Sequence, residues 1–404
     1  MNESKVFLNP QPLSSIVVSH AGVQYSHPAA RAIQDSGFLK AFWNTQLHQP
    51  EIRKGLFHSY PWPEIFRKAL LILSKGSAMR NQALFWRNSW FDHHVADRLG
   101  EFNFDALIGF VGSSLFSFKK AKQLKKWAIL DQHDIHPLLA ERLLKEEIEL
   151  NPDFSCLINY WPPHRPYLDR IEKELQMADR ILVPSSFSLH SHLAAGLSPK
   201  KLILIPCGVY LPKQVSRNEP LNGKFRILFV GTISQRKGIK YLLEALKQLN
   251  LPQTELILIG RIDGDPSPLR SYRDFFHHVG FLSQERLEEY WNSSHLFILP
   301  SVYDAFGLVI SEAMAHALPV IVTENSAAHD VVREGVDGFV VPIRDVEILK
   351  NRILKFYKNR DQGREMGQNA RQRVKNFTWT QYSLRIQSFL ESLISKQGSS
   401  FARS

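Results

Sequence analysis

Cysteine is nearly missing from this sequence. Cys156 and Cys207 are the only two in 404 residues, and neither has a second cysteine or a histidine at metal-ligand spacing. That excludes a disulfide framework and a zinc site, and both thiols are expected to be buried. Long apolar runs are missing too: Ala69 to Leu73 is among the longest, far short of the ~20 residues that span a bilayer. No transmembrane helix is expected. Met1 to Pro10 lacks a basic stretch followed by an apolar core, so it does not read as a signal peptide, and the protein is expected in the cytoplasm. There is no charged tail either. The formal charge of +11 is spread evenly, with 24 Lys+Arg against 19 Asp+Glu in residues 1–210 and 26 against 20 in the remainder. Finally, the chain has no GxxxxGK[ST] and no GxGxxG where its strands end, which weighs against P-loop and nicotinamide chemistry.

What is present is ordinary for a globular protein. Apolar residues make up 44% and charged residues 22%, and the length suits two domains, each with its own core. From Lys224 onward, short β-branched runs alternate with segments whose apolar residues recur every three or four positions, as parallel βαβ units require. The expected strands are Phe225–Val230, Glu255–Ile259, Val279–Leu282, Leu296–Leu299, Val320–Thr323 and Gly338–Val341. A helix from Gly238 places Ile239, Leu242, Leu243, Leu246 and Leu249 on one face.

The first half is less regular but offers the strands Ser15–Ser19, Ala106–Phe110, Trp127–Asp131, Arg180–Pro184 and Leu202–Pro206. The resulting division is a first α/β domain over 1–210, a polar linker over 211–223, a second domain over 224–376, and a tail over 377–404. In that tail Trp379 to Ile394 has helical period, and Gly398 to Ser404 is expected to fray. Both domains read as doubly wound sheets, which bind ligands beyond the carboxyl ends of their strands.

The richest stretch is HLFILPSVYDAFGLVISEAMAHALPVIVT, starting at His295. A strand ends at Pro300, Asp304 lies in the loop, and a helix starting near Phe306 and Gly307 carries Glu312. Along a regular helix eight residues span about 12 Å, too far for two carboxylates to share one bond but suited to two ends of one long ligand. Between them, the free amides of Phe306, Gly307 and Leu308 form a helix N-terminus able to hold a diphosphate. In LFVGTISQRKG, after the first strand of this domain, Arg236 and Lys237 precede a helix, where cations are unfavourable unless an anion is bound. Together they can stabilise a leaving group as its charge develops. No acidic cluster reads as a magnesium site, so no metal or cofactor is expected.

The ordered set VGTISQRKG, PSVYDAFGLVISEAMAHALPVIVT and REGVDGFVVP, with ADRILVPSSFS earlier, resembles the retaining glycosyltransferases of family 4, a group 1 family with two facing Rossmann-like domains, the GT-B fold. The resemblance implies an enzyme that moves a sugar from a nucleotide-diphosphate donor to a hydroxyl acceptor, in polysaccharide or glycolipid assembly. The family's Glu-x7-Glu motif falls on Asp304 and Glu312. Glu312 would then bind the nucleotide ribose, Asp304 would orient the transferred sugar, and Arg236 with Lys237 would hold the diphosphate. Gly22, in VVSHAGVQYSH, resembles the glycine-containing loop at the family's cleft. In QHDIHPLLAERLLKEE, His136 matches the family's histidine segment better than His133 and would face the donor sugar. The chain departs from the family where Asp304 replaces Glu, Ala317 stands at a usual glycine, and Thr232 replaces a basic residue.

The resemblance leaves the base, sugar and acceptor open: glycan, lipid-linked or small molecule. A nucleotide-sugar epimerase and a catalytically silent sugar-nucleotide-binding subunit are the alternatives. Nucleic acid is not an expected partner. Residues 52–126 hold 13 basic against 5 acidic side chains. Arg67, Lys68, Lys75, Arg80 and Arg87, with Trp62, Phe66, Leu70, Leu71, Phe85 and Trp86, form a candidate peripheral contact with the inner face of a membrane.

Overall fold

The structure is a computed structural model that describes residues 15–22, 26–73, 77–158, 165–220 and 222–400. Met1 to Pro10 and Lys75 lie outside the described residues.

Two parallel sheets organise the chain. The first domain opens with β1 (Ile16–His20), α1 (Ser26–Asp35), β2 (Leu39–Asn44) and β3 (Phe57–Ser59). Two helices, α2 (Trp62–Leu73) and α3 (Ser77–Arg98), lead to β4 (Ala106–Phe110) and α4 (Leu115–Gln123). It continues through β5 (Trp127–Asp131), α5 (Pro137–Leu150), α6 (Arg165–Met177), β6 (Arg180–Val183), α7 (Ser186–Ala194) and β7 (Leu202–Leu204). Its seven strands run in the order β3-β2-β1-β4-β5-β6-β7.

The second domain has β8 (Phe225–Val230), α8 (Ile239–Leu249), β9 (Thr254–Ile259), β10 (His277–Gly280), α9 (Gln284–Ser293) and β11 (Leu296–Leu299). Then come α10 (Leu308–Ala315), β12 (Val320–Thr323), α11 (Ala328–Val331), β13 (Gly338–Val341), α12 (Val346–Lys358) and α13 (Arg360–Val374). Its strands run β10-β9-β8-β11-β12-β13. The last helix, α14 (Trp379–Ser400), runs through Gly398, where fraying was expected.

The strands show why the second half was easier to read. β8, β11 and β12 are central, buried on both faces, and apolar apart from Arg226 and Thr323, as parallel strands covered by helices must be. β2 and β3 were not anticipated. β2, LKAFWN, has an apolar core without alternation, and β3 is a three-residue edge strand, so neither carries a period. On α8 the residues Ile239, Leu242, Leu243 and Leu246 are buried and Leu249 packs at the margin of the same core, each full burial stabilising by about 1.5–3 kcal/mol.

The sequence did not reveal where α14 goes. It crosses back to the first domain, where Tyr382, Ile386, Phe389, Leu390 and Leu393 share a core with Ile16, Val18 and Ile33. Beside that crossing Val209 donates its amide to the Phe377 carbonyl at 2.8 Å, so the chain passes between the domains twice at one place.

One expectation is corrected. Cys207 is buried, but Cys156 is exposed: it sits in the short turn Pro152–Leu157 at the domain boundary, where its carbonyl accepts from the Asp265 amide at 3.2 Å. On α2 and α3, three of the arginines turn to carboxylates. Arg67 and Arg87 both pair with Glu64, at 2.6 and 3.3 Å, and Arg80 reaches Asp263 at 3.4 Å. Exposed there are Trp62, Ile65, Phe66, Ile72, Trp86 and Trp90. Among the described residues no helix is long and apolar enough to cross a membrane.

Candidate active site

After β8 the chain makes one short turn, Gln235–Lys237, and reaches Gly238 with φ +70°. A Cβ at Gly238 would lie 1.8 Å from the carbonyl oxygen of Pro300, at the end of β11. Only glycine allows the two loops to lie this close, and the contact brings Lys237 to Asp304. The ammonium of Lys237 forms an ion pair with Asp304 Oδ2, the two side chains being 11% and 15% exposed. Burial alone would raise the Asp304 carboxyl, but Lys237 and Arg236, with the Phe306 amide, hold it below its ordinary range. Burial also dominates at Lys237 and lowers its amine despite the carboxylate, and the like charge of Arg236 lowers it further. Two cations around one carboxylate favour the carboxylate and leave positive charge for a ligand.

Arg236 packs its guanidinium 5.3 Å from the centre of the Tyr303 ring and donates to the Tyr303 carbonyl at 3.3 Å. Gly307, at φ +76°, turns the chain into α10. Because the helix begins only at Leu308, half of the Asp304–Glu312 spacing is non-helical, so the separation expected of a regular helix does not apply. Phe306 offers its amide to Asp304, while its ring lies in the core, 1% exposed, and cannot face a ligand. Leu308 packs at the margin of that core. Glu312 is half-buried with no cationic partner among the described residues, and burial alone raises its carboxyl.

Across the cleft, Asp134 follows β5. Its carboxyl lies within electrostatic reach of Arg236, Lys237 and Asp304; the cleft walls raise it and Arg236 draws it back, although the side chain remains open to solvent. His133 and His20 stand 6.1 Å apart between ring centres, and His20 stacks on Phe110 at 4.4 Å. Burial lowers both rings, His133 to about 4, so both are neutral at pH 7. Gly22 lies against His20: a Cβ there would be 3.1 Å from the ring, and its carbonyl accepts from Asn44 at 2.6 Å. The structure therefore gathers Gly22 with His20 and His133.

His136 is placed elsewhere. It caps α5, its Nδ1 accepting from the Leu138 amide at 3.3 Å, and its ring meets His192 edge-on at 5.3 Å, with Glu172 3.8 Å from Nε2. At 2% exposure its side chain is packed between α5, α6 and α7. A histidine before Pro137 at a helix start is a recognisable cap signal.

Sequence reasoning missed Asp131 and Glu147. Burial raises the Asp131 carboxyl to about 7, near Cys207 and Tyr382 at the domain crossing. Glu147, fully buried on α5, joins the domains. It accepts from Tyr241 at 2.7 Å and Gln235 at 2.7 Å, and pairs with Arg344 at 2.9 Å. Gln235 directly precedes Arg236, so this contact also fixes the cationic turn. At another point Ser186 donates its amide to Asp330 at 2.9 Å. Among the described residues no group of three or more His, Cys, Asp or Glu side chains is arranged to hold a metal ion.

The arrangement can seat a diphosphate near Arg236 and Lys237, with carboxylates left for hydroxyl groups. Known proteins share this architecture. The structure of Anabaena HepE in complex with UDP-glucose superposes with a TM-score of 0.64 over 94% of this chain and 99% of that one, at 16% identity. An uncharacterized 41.2 kDa protein in the cps region of Klebsiella pneumoniae is 24% identical over 65% of this chain and 72% of its own. The O-antigen chain mannosyltransferase B of Escherichia coli is 28% identical over 56% of this chain and 64% of its own. Across other curated relatives the match shortens, to 48% and 31% of their length. Residues 212–373 match the family model of glycosyl transferases group 1, so this chain has the GT-B fold and its second domain carries the group 1 glycosyl transferase signature.

Proposed function

We propose that the protein is a retaining glycosyltransferase of family 4, moving a sugar from a nucleotide-diphosphate donor to a hydroxyl in polysaccharide or glycolipid synthesis. The observation that carries this reading is the Lys237–Asp304 pair, with Arg236 beside it and the N-terminus of α10 close behind. Arg236 and Lys237 bind the diphosphate, and the amides at the start of α10 add their dipole. Glu312, with no cationic partner among the described residues, takes the ribose hydroxyls. Asp304 orients the sugar, and His133 and Gly22 border it from the first domain. The bond between the anomeric carbon and the phosphate oxygen breaks with its electron pair leaving on the nucleoside diphosphate. The acceptor oxygen bonds to the same face of that carbon, and its proton passes to the departing phosphate. Such a step needs charge stabilisation more than a protein base.

The donor and the setting are supported by the relatives: HepE was solved with UDP-glucose, and the Escherichia coli relative is an O-antigen mannosyltransferase. The exposed Trp62, Ile65, Phe66 and Trp90 suit a lipid-linked acceptor met at a membrane surface.

Purified protein incubated with UDP- and GDP-sugars and lipid-linked or soluble glycan acceptors tests the reading. Acceptor-dependent release of nucleoside diphosphate, with an NMR-defined product of unchanged anomeric configuration, is the expected outcome. An altered free nucleotide sugar without transfer would indicate an epimerase. Binding without any turnover would indicate a silent subunit.

A further inference from the structure

A pocket of about 240 Å³ lies at the opposite end of the second sheet from the candidate active site. Phe225 at the start of β8, His295 just before β11, and Ala317 and Pro319 just before β12 line it, so it faces the amino ends of the strands. Three arginines, Arg217, Arg360 and Arg364, border it.

Each arginine is held differently. Arg217 donates to the Trp291 carbonyl at 2.8 Å and to the Ser294 carbonyl, and burial lowers it to about 10, so it remains charged at pH 7. Arg364 pairs with Asp361 at 2.9 Å, a side chain 90% exposed. The guanidinium of Arg360 lies 5.6 Å from the centre of the Phe225 ring, and none of its hydrogen-bond donors has a partner among the described residues. Arg360 and Arg364 are one turn apart on α13, so their charges project on the same side.

One carboxylate already occupies the site. Glu219, from the segment joining the domains, accepts from Arg364 at 2.8 Å and lies 2.9 Å from His295 Nε2. His295 Nδ1 accepts the Arg226 amide at 3.0 Å, which leaves the proton on Nε2, aimed at Glu219. The pocket thus presents built donors for an anion, and the linker supplies a tethered anion that fills them in part.

We propose that this pocket is a second ligand site, for a compact dianion bearing a phosphate or two carboxylates, which displaces Glu219 and engages Arg360 and Arg364. The volume is small beside the ~300–1,000 Å³ of typical ligand pockets, so the ligand is smaller than a nucleotide sugar. Displacing Glu219 removes one of the contacts that hold the linker to the second domain, beside those that Arg217 makes to the Trp291 and Ser294 carbonyls, which ties occupancy of the pocket to the segment between the two domains.

Calorimetric titration of the full chain with inorganic phosphate, glycerol phosphate and succinate tests this, comparing the wild type with Glu219→Gln, Arg360→Ala, Arg364→Ala and Lys237→Ala. The expected result is saturable binding of at least one probe, tightened several-fold in Glu219→Gln, weakened at least tenfold in Arg360→Ala, and unchanged in Lys237→Ala. Preference among the probes distinguishes a phosphate ligand from a dicarboxylate. Arg364→Ala also releases Glu219, so a loss of folding there leaves Arg360→Ala as the deciding variant. No saturable binding in either the wild type or Glu219→Gln would overturn the proposal. So would binding that survives Arg360→Ala but is lost in Lys237→Ala, since the anion would then sit in the active-site cleft.

Discussion

Lys237 and Asp304 stand 67 residues apart in sequence and form an ion pair that is mostly hidden from solvent, at the point where the loops after β8 and β11 meet. A pair so placed is costly to desolvate, and its breakage leaves an uncompensated charge. Replacing either member tests the proposed chemistry. Lys237→Ala and Asp304→Asn are each expected to lower kcat/KM for sugar transfer by about 100-fold or more, the range seen when one preorganised electrostatic group is lost. Steady-state assays on variants with wild-type circular dichroism check this.

The latch at Glu147 gives a prediction about domain arrangement. Arg344→Ala removes the cation from a carboxylate that is fully buried and already serves Tyr241, Gln235 and Asn151. The ligand-free variant is expected to open, raising its radius of gyration in small-angle scattering, and to weaken donor binding because Gln235 no longer fixes Arg236. Unchanged scattering and unchanged donor affinity would contradict this role.

A second buried charge cluster is structural. Arg170, 3% exposed, pairs with Asp92 and with Glu174 at 3.0 Å, both of which are fully buried. These carboxylates also hold the amides of Ser114, Phe116 and Ser117 at 2.7–2.9 Å, pinning the start of α4 to α3 and α6. Arg170→Met strands two carboxylates and is expected to cost about 3–5 kcal/mol in urea unfolding.

Asp131 gives a pH dependence. Its folded pKa of about 7 lies above the ~3.9 of an unfolded aspartate. The folded state therefore holds the proton more tightly, so stability is fully present below pH ~4 and falls as pH rises toward 7. Asp131→Asn removes that loss. It is expected to unfold at the same urea concentration as the wild type near pH 4 and to be more stable by about 2–4 kcal/mol at pH 8.

Ala317 explains one departure from the family pattern. Its φ of +57° is left-handed, a conformation that penalises any Cβ and favours the glycine usual there. The substitution thus costs backbone energy at the end of α10 and does not touch the charged residues of the cleft. Ala317→Gly is expected to stabilise the fold by about 1 kcal/mol in thermal or urea unfolding.

The cleft residues of the second domain were legible because each belongs to a short motif at a strand end. Arg236, Lys237, Asp304 and Gly307 follow β8 and β11 directly, and chain direction alone places them together once the sheet is parallel. The Phe306 amide, expected to be free for a diphosphate, serves Asp304 instead, a pairing across the turn into α10 that no sequence period shows. His136 and His133 lie in one loop, and no sequence period tells a helix cap from a cleft residue. Glu147 depends on a contact 94 residues away, and the return of α14 to the first domain on contacts between opposite ends of the chain, which local pattern does not encode. On the α2–α3 surface composition counts Glu64 among the acids but cannot show that it sits between Arg67 and Arg87.

The central claim is that a nucleotide-diphosphate sugar binds at Lys237 and Arg236 with its ribose on Glu312. Calorimetry of UDP-glucose and GDP-mannose against the wild type, Lys237→Ala and Glu312→Ala tests it most directly. The account predicts saturable binding of at least one donor by the wild type, weakened at least tenfold in each variant while folding is retained. Donor binding that both variants keep at full strength would contradict it.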